Sequence, residues 1–273
     1  MYHYTDKYLL DPSLRITVAL VGCGGTGSQV LSGLARMNEA LEALGHGGLL
    51  VTVYDADVVT ESNVGRQVFS MADVGLNKAL VSVTRINRYY GLDWIAKPEH
   101  VTTAKQLMHN IVISCVDMAE TRVQIAEWLQ VCLNTKQSHE PDTRNYYWLD
   151  YGNLQHTGQV VLGTVGRVEQ VKYDKNRNET IHTLEQRQSR AYKLPNVVEL
   201  LPDIKKIKSK DTGPSCSLLQ ALNRQDLFIN STLANLGLAL LWRLFREGRT
   251  DYQGAYLNLK TMQVNAIKVK HTI

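Results

Sequence analysis

No two of the four cysteines stand at C-x-x-C spacing; Cys23, Cys115, Cys132 and Cys216 are scattered over 273 residues. A four-thiolate zinc site and a disulfide framework are therefore unsupported. Long apolar runs are lacking too, none coming near the roughly 18 residues that a membrane span requires. The stretch from Met1 to Asp11 is polar and aromatic rather than a charged cap on an apolar core, so no signal peptide is expected. Charge of one sign is not in excess either. Basic residues number 30 against 26 acidic ones, a net charge of +4, which is too even for a nucleic-acid binder with its basic face. The eight histidines include no pair at ligand spacing, so no histidine metal site is expected. These absences lead to the expectation of a cytoplasmic protein with neither a membrane nor a nucleic acid as partner.

What is there fits a chain with a core: 44% of residues are hydrophobic and 21% charged, ordinary values for a globular protein. The length suits one large α/β domain or a domain with a modest appendage. Ile16 to Val21 (ITVALV), Leu49 to Tyr54 (LLVTVY) and Ile111 to Val116 (IVISCV) are apolar, β-branched runs that predict buried parallel strands. Leu92 to Lys97 is a further strand candidate, closed by Pro98. Helices are predicted over Ser28 to Leu44, Leu76 to Tyr90 and Ala119 to Leu133. Strands alternating with helices predict a Rossmann-like α/β fold, an open and mostly parallel sheet with helices on both faces. Tyr146 to Gly152 and Gln159 to Val165 read as two more strands, Leu227 to Phe245 as an apolar helix, and Ala255 to Leu259 with Val264 to Val269 as C-terminal antiparallel strands. Residues 168–214 lose periodicity and read as one long irregular loop within a single domain spanning 1–273. Lys205 to Lys210 (KKIKSK), its most basic part, is expected to be a solvated stretch.

Gly22-Cys23-Gly24-Gly25-Thr26-Gly27 follows the first strand directly and opens a helix, the context in which glycines build a phosphate-binding turn. Without side chains the backbone turns tightly and approaches a phosphate, and the first N–H groups of the helix supply donors and partial positive charge. Asp55 closes the second strand, where an acid accepts hydrogen bonds from ribose hydroxyls. NAD and ATP can both use such a turn.

The segment beyond Asp55 separates the two. Residues 55–67, DADVVTESNVGRQ, set three acids, two amides and an arginine at and past the strand end, and Lys78 follows near the start of the next helix. A dehydrogenase needs a specificity acid here and little else. Arg66 and Lys78 instead bring two cations to the phosphates, where negative charge accumulates as a triphosphate is attacked. Asp117, at the end of another strand, reaches the same crevice as a candidate Mg²⁺ ligand.

Together, G-x-G-G-x-G, D-x-D-x-V-x-x-S-N-x-x-R-Q, the helical lysine and C-x-D at a strand end resemble the E1 superfamily of ThiF, MoeB, HesA and the ubiquitin-activating enzymes. The resemblance runs from about Ile16 to Leu133 and more loosely onward to the C-terminal helix. Pro214-Ser215-Cys216-Ser217 and Gln225-Asp226-Leu227-Phe228-Ile229-Asn230 are similar to the ThiF family protein of the bacterial PRTRC system.

That resemblance implies an E1-like adenylation fold and an enzyme that uses Mg-ATP to activate the C-terminal carboxylate of a ubiquitin-like or sulfur-carrier protein. It also implies transfer to a cysteine thiol, an E2-like acceptor for some members, and a homodimer. Residue by residue, Gly22, Gly24, Gly25 and Gly27 form the nucleotide turn and Asp55 binds the ribose. Asn63 and Arg66 position the triphosphate, Lys78 contacts phosphate, Asp117 ligands Mg²⁺, Gln67 orders the loop, and Asp57 assists the metal or the loop geometry. Cys216 is the candidate acceptor thiol, near in sequence to Lys208 and Lys210, whose charge can lower its pKa. The other three cysteines are expected to pack as small hydrophobes, and Arg122 to cap or pair locally. Many relatives hold a structural zinc through two C-x-x-C pairs; both are absent here, so no zinc is expected. Many also carry an N-terminal arginine that reaches the neighbouring subunit's ATP; in this chain's short lead the candidate is Arg15. Two other functions compete, an NAD-dependent oxidoreductase and a non-catalytic E1-like scaffold subunit.

Overall fold

Residues 1–135, 140–168, 173–174, 179–180, 190–206 and 225–270 are described by the structure, a computed structural model. The first buried run forms strand β1 (Ile16–Val21). Its side chains divide between two cores: Ile16, Val18 and Leu20 enter one cluster, Ala19 and Val21 the other. A pleated strand buried on both faces imposes that alternation. Each fully buried Val, Leu or Ile contributes about 1.5–3 kcal/mol through lost contact with water.

The chain continues through helix α1 (Gly25–Ala43), β2 (Leu49–Tyr54), helix α2 (Lys78–Tyr90), β3 (Ile95–Lys97), β4 (Ile111–Ser114) and helix α3 (Ala119–Leu133). After it come β5 (Tyr147–Asn153), β6 (Thr157–Thr164), a short helix α4 (Val197–Leu200), the long helix α5 (Ile229–Glu247), β7 (Tyr252–Asn258) and β8 (Gln263–Lys268). One eight-stranded sheet holds all these strands in the order β8-β7-β6-β5-β4-β1-β2-β3. From β3 to β5 the pairs are parallel; from β5 to β8 they are antiparallel. The open α/β architecture with C-terminal antiparallel strands is thus as expected. Residues of α1, α2 and α5 fill one core cluster, those of α3 and α4 the other, so both faces are covered. Helix α5 lies close on α1 because Gly33 has no side chain; a Cβ there would stand 2.1 Å from the Leu238 Cδ1.

Several details differ from the sequence reading. Helix α1 starts at Gly25, inside the glycine motif, rather than at Ser28. Only Ile95–Lys97 of the third strand candidate pairs, on the sheet edge beside β2. The N-terminal lead is tied down, His3–Tyr4 pairing antiparallel with Arg249–Thr250. Within 168–214, residues 197–206 form α4 and a 3-10 turn, and Val197, Val198 and Ile204 are buried in the α3 core. Lys206 pairs with Asp203 on the surface. Among the described residues, no helix is long and apolar enough to cross a membrane.

Candidate functional site

Three parallel strands end side by side. Gly22 N donates to Tyr54 O (2.9 Å) and Cys115 N to Val21 O (2.8 Å), which aligns the residues that leave β1, β2 and β4. Strand order reverses between β1 and β4, and the crevice outside such a reversal is where open α/β sheets bind ligands.

The glycines of the turn do different jobs. Gly22 has φ of 89°, and a Cβ on it would meet the Cys115 carbonyl oxygen at 2.8 Å. One on Gly27 would lie 1.9 Å from Gly22 O, and one on Gly25 would lie 2.5 Å from the Asn230 amide nitrogen. Only Gly24 faces open space, its nearest neighbour being Gln67 Oε1 at 3.9 Å from an added Cβ. Helix α1 has no side-chain cap at Gly24 and no acid in its first turn. Its leading N–H groups are left for an anion. Two substitutions separate these roles. Gly27→Ala should lose about 3 kcal/mol or more in urea unfolding, because backbone oxygen cannot yield to the methyl. Gly24→Ala should unfold at a higher urea concentration than Gly27→Ala but lose nucleotide affinity; equal stabilities would contradict this division.

Asp55 braces the turn. Its carboxylate accepts from Cys23 N (2.5 Å) and Asp57 N (2.9 Å). Burial pushes the Asp55 carboxyl above its ordinary range, while these N–H groups and the charge of Lys78 pull it back. Lys78 is only 8% exposed, and its ammonium donates to Asp57 Oδ2 (2.8 Å). Asn77 completes the junction. Its oxygen caps α2 through Leu80 N (3.0 Å), and its nitrogen donates to the carbonyls of Asp55 (2.9 Å) and Asp57 (3.0 Å). Asp57 therefore holds the lysine and the loop.

Beyond this junction the chain makes a 3-10 turn, Glu61–Asn63, in which the Asn63 oxygen accepts from Thr60 N (3.0 Å). That bond makes Asn63 an organiser of the loop. Gln67 is buried, and its Oε1, beside Gly24, has no hydrogen-bond partner among the described residues. Arg66 donates from Nη1 to Gln225 Oε1 (2.5 Å), while its buried Nε has no partner among the described residues. Burial lowers the guanidinium pKa, with no carboxylate opposing it among the described residues. Of the two predicted cations, Lys78 is neutralised by Asp57 and Arg66 is not.

Asp117 is exposed just past β4. Its loop is clamped by Arg122, whose Nη1 and Nη2 donate to Met118 O (3.3 Å) and Val116 O (2.5 Å), the carbonyls on either side of Asp117. The same guanidinium donates to Tyr151 O (2.9 Å) and pairs with Asp150 (3.1 Å), both residues of β5. Asp150 is fully buried and also accepts from Ser114 Oγ (2.5 Å). Burial pushes its carboxyl above the ordinary range, against the pull of Arg122 and Ser114. Arg122 does bond locally, to the carbonyls of Val116 and Met118, but its ion pair with Asp150 also joins α3 to the sheet under the Asp117 loop.

The thiols divide as expected where they are described. Cys23 and Cys132 are buried, and burial pushes the Cys23 thiol up to about 12 and those of Cys115 and Cys132 above their ordinary value. Such thiols stay protonated and unreactive at neutral pH. Cys216, Lys208 and Lys210 lie outside the described residues. Arg15 sits at the amino end of β1, at the opposite edge of the sheet from the crevice, paired with Asp93. Among the described residues no group of three His, Cys, Asp or Glu side chains is arranged to hold a metal ion.

Residues 10–269 match the ThiF family profile. The chain belongs to the ThiF family. No curated protein sequence matches it significantly. Among solved structures this ThiF chain is similar to PaaA, with a TM-score of 0.57 and 16% identity over 97% of this chain and 66% of that one. It is similar to E. coli MccB with MccA-N7isoASN (TM-score 0.56, 16% identity, 94% of this chain and 65% of that one). E. coli MccB with ATP gives a TM-score of 0.53 and 14% identity over 97% of this chain and 66% of that one. The ThiF chain thus spans a little under two thirds of the length of these chains, and the likeness establishes a common E1-like fold.

The crevice of this ThiF chain brings together the four glycines, Asp55, Asp57, Lys78, Arg66 and Gln67, with Asn63 structuring the loop. Asp117 stands at the same carboxyl edge, above β4. Sequence reasoning missed Asn77, Gln225 and Asn230, and it gave Arg122 only a local role. Asn77 was findable as an N-cap residue ahead of a helix. For the others the informative contacts, Arg122 with Asp150, Gln225 with Arg66 and Asn230 with Thr26, span 28, 159 and 204 residues, and nothing local announces them.

Proposed function

We propose that this chain is an E1-like adenylating enzyme that uses Mg-ATP to activate the C-terminal carboxylate of a ubiquitin-like or sulfur-carrier protein. The supporting observation is the half-buried guanidinium of Arg66, which among the described residues has no carboxylate to neutralise it and no partner for its Nε, together with the Gln67 oxygen near Gly24, which also lacks a partner there. Buried polar atoms are normally satisfied, and a cation left in this state suits an anionic ligand. MccB has been crystallised with ATP and, separately, with MccA, which supports a nucleotide and a second molecule on this fold.

The reaction asks little covalent work of the protein. A carboxylate oxygen of the partner attacks the α-phosphorus, the bond to the bridging oxygen breaks, and pyrophosphate leaves with that electron pair. The carboxylate is already ionised at neutral pH, so no general base is needed. Arg66 and the N–H groups of α1 stabilise the charge that develops on the phosphates, and Asp55 orients the ribose. Asp117 is the residue that would hold Mg²⁺, which would supply positive charge to offset that of the phosphates. In a second step the Cys216 thiolate attacks the acyl carbon, the bond from that carbon to the AMP oxygen breaks, AMP leaves with the electron pair, and a thioester results that an E2-like acceptor can collect. We take residues 1–273 to act as one adenylation domain, as a homodimer.

The test is ATP–pyrophosphate exchange in the presence of candidate partner proteins ending in glycine. Wild type should exchange, Asp117→Ala should exchange about 10²-fold more slowly, and Cys216→Ala should keep exchange while losing any thioester. Binding of NAD without ATP would favour the oxidoreductase. Absence of exchange with every partner, despite ATP binding, would favour the scaffold.

A further inference from the structure

We infer that Gln225 is a positioning residue that aims the Arg66 guanidinium at the nucleotide without neutralising it; the inference rests on the phosphate-binding role proposed for Arg66. The Gln225 Oε1 accepts two hydrogen bonds, from Arg66 Nη1 (2.5 Å) and from Asn230 Nδ2 (3.0 Å). Arginine can only donate, so this contact fixes which end of the glutamine amide faces it. Asn230 is buried, and its oxygen accepts from Thr26 Oγ1 (2.9 Å) and Asn153 Nδ2 (3.1 Å). Thr26 lies in the first turn of α1, and the Asn230 amide fills the space left by the missing side chain of Gly25. An unbroken chain of hydrogen bonds therefore runs from Arg66 through Gln225 and Asn230 to the phosphate-binding turn, with a branch to the end of β5.

The chemical type of the partner matters as much as its position. Every side chain in this chain of contacts beyond Arg66 is neutral: two amides, a hydroxyl and a third amide. A carboxylate at position 225 could accept the same two bonds, but its charge would pair with Arg66 and compete with phosphate for it. An amide supplies the orientation and leaves the cation unspent. Pre-setting one long side chain also spares the cost of ordering it when ligand arrives.

Two substitutions in the full chain test this, with Arg66→Ala as reference. Three readouts are needed: thermal unfolding, ATP affinity by calorimetry and ATP–pyrophosphate exchange. Gln225→Glu keeps both accepted bonds, so its unfolding temperature should equal or exceed that of wild type, while its ATP Kd should rise about tenfold. A purely structural role for Gln225 predicts unchanged ATP affinity in that variant, and this outcome would overturn the inference. Gln225→Ala, which frees the guanidinium, should lower exchange about tenfold, and wild-type exchange in this variant would likewise overturn it. If Arg66→Ala is impaired while both Gln225 variants match wild type, the positioning role alone fails. If Arg66→Ala itself binds ATP and exchanges normally, the reading of Arg66 fails first.

Discussion

Replacing Arg66 by alanine is expected to slow ATP–pyrophosphate exchange by about 10²- to 10³-fold, a loss of a few kcal/mol of transition-state stabilisation. Three features of the site argue for an effect of this size. The guanidinium is half-buried, so its field is less screened than on an open surface. No described carboxylate draws on its charge. The other candidate cation, Lys78, is already engaged with Asp57 at 2.8 Å, so the lysine is poorly placed to compensate. Stability should change in the other direction or hardly at all, because removing a half-buried cation with no acidic partner relieves a desolvation cost. Exchange rates and urea midpoints measured together check both halves. A variant that loses stability and activity in proportion would point to a structural arginine instead.

Arg122→Ala is expected to be the most destabilising single change near the crevice, costing about 3–5 kcal/mol. Removing the arginine leaves Asp150 charged and fully buried, and it leaves the Val116, Met118 and Tyr151 carbonyls without this donor. The pH dependence has a definite sign. Burial already holds the Asp150 carboxyl above its ordinary value and Arg122 draws it down, so the variant must raise it further. A folded carboxyl with a raised pKa binds more protons than the unfolded chain does, and stability then falls as pH rises. The defect should therefore be smallest at acid pH, where protonation relieves Asp150, and grow as pH rises. Denaturation at several pH values checks this, and a double substitution with Asp150→Asn should recover part of the loss. A pH-independent defect would mean that the carbonyl contacts dominate rather than the buried charge.

The placement of Arg122 also shows where reading the chain alone reaches its limit. As a single basic residue five positions after Asp117, it looked like a helix-start residue pairing with something nearby. Its ion-pair partner, Asp150, is 28 residues on, in the middle of a strand, where alternation alone would have marked the position as apolar. Gln225 stands 159 residues from Arg66, and an exposed glutamine in sequence is indistinguishable from one that aims a cation. The pairing of Asp57 with Lys78 was closer to view, since both belonged to the candidate set, yet only the fold revealed that one cancels the other.

The order of residues was enough to establish the α/β class, the positions of β1, β2 and β4, the glycine turn and the acid beyond β2. Those features are local: a buried strand needs an unbroken β-branched run, and a turn without room for Cβ atoms needs glycine at Gly22, Gly25 and Gly27. Tertiary structure alone decided which charges are spent and which are left over. Whether a cation can serve a ligand depends on the carboxylates and amides that folding brings within about 3 Å of it, and those come from strands and helices far apart in the chain.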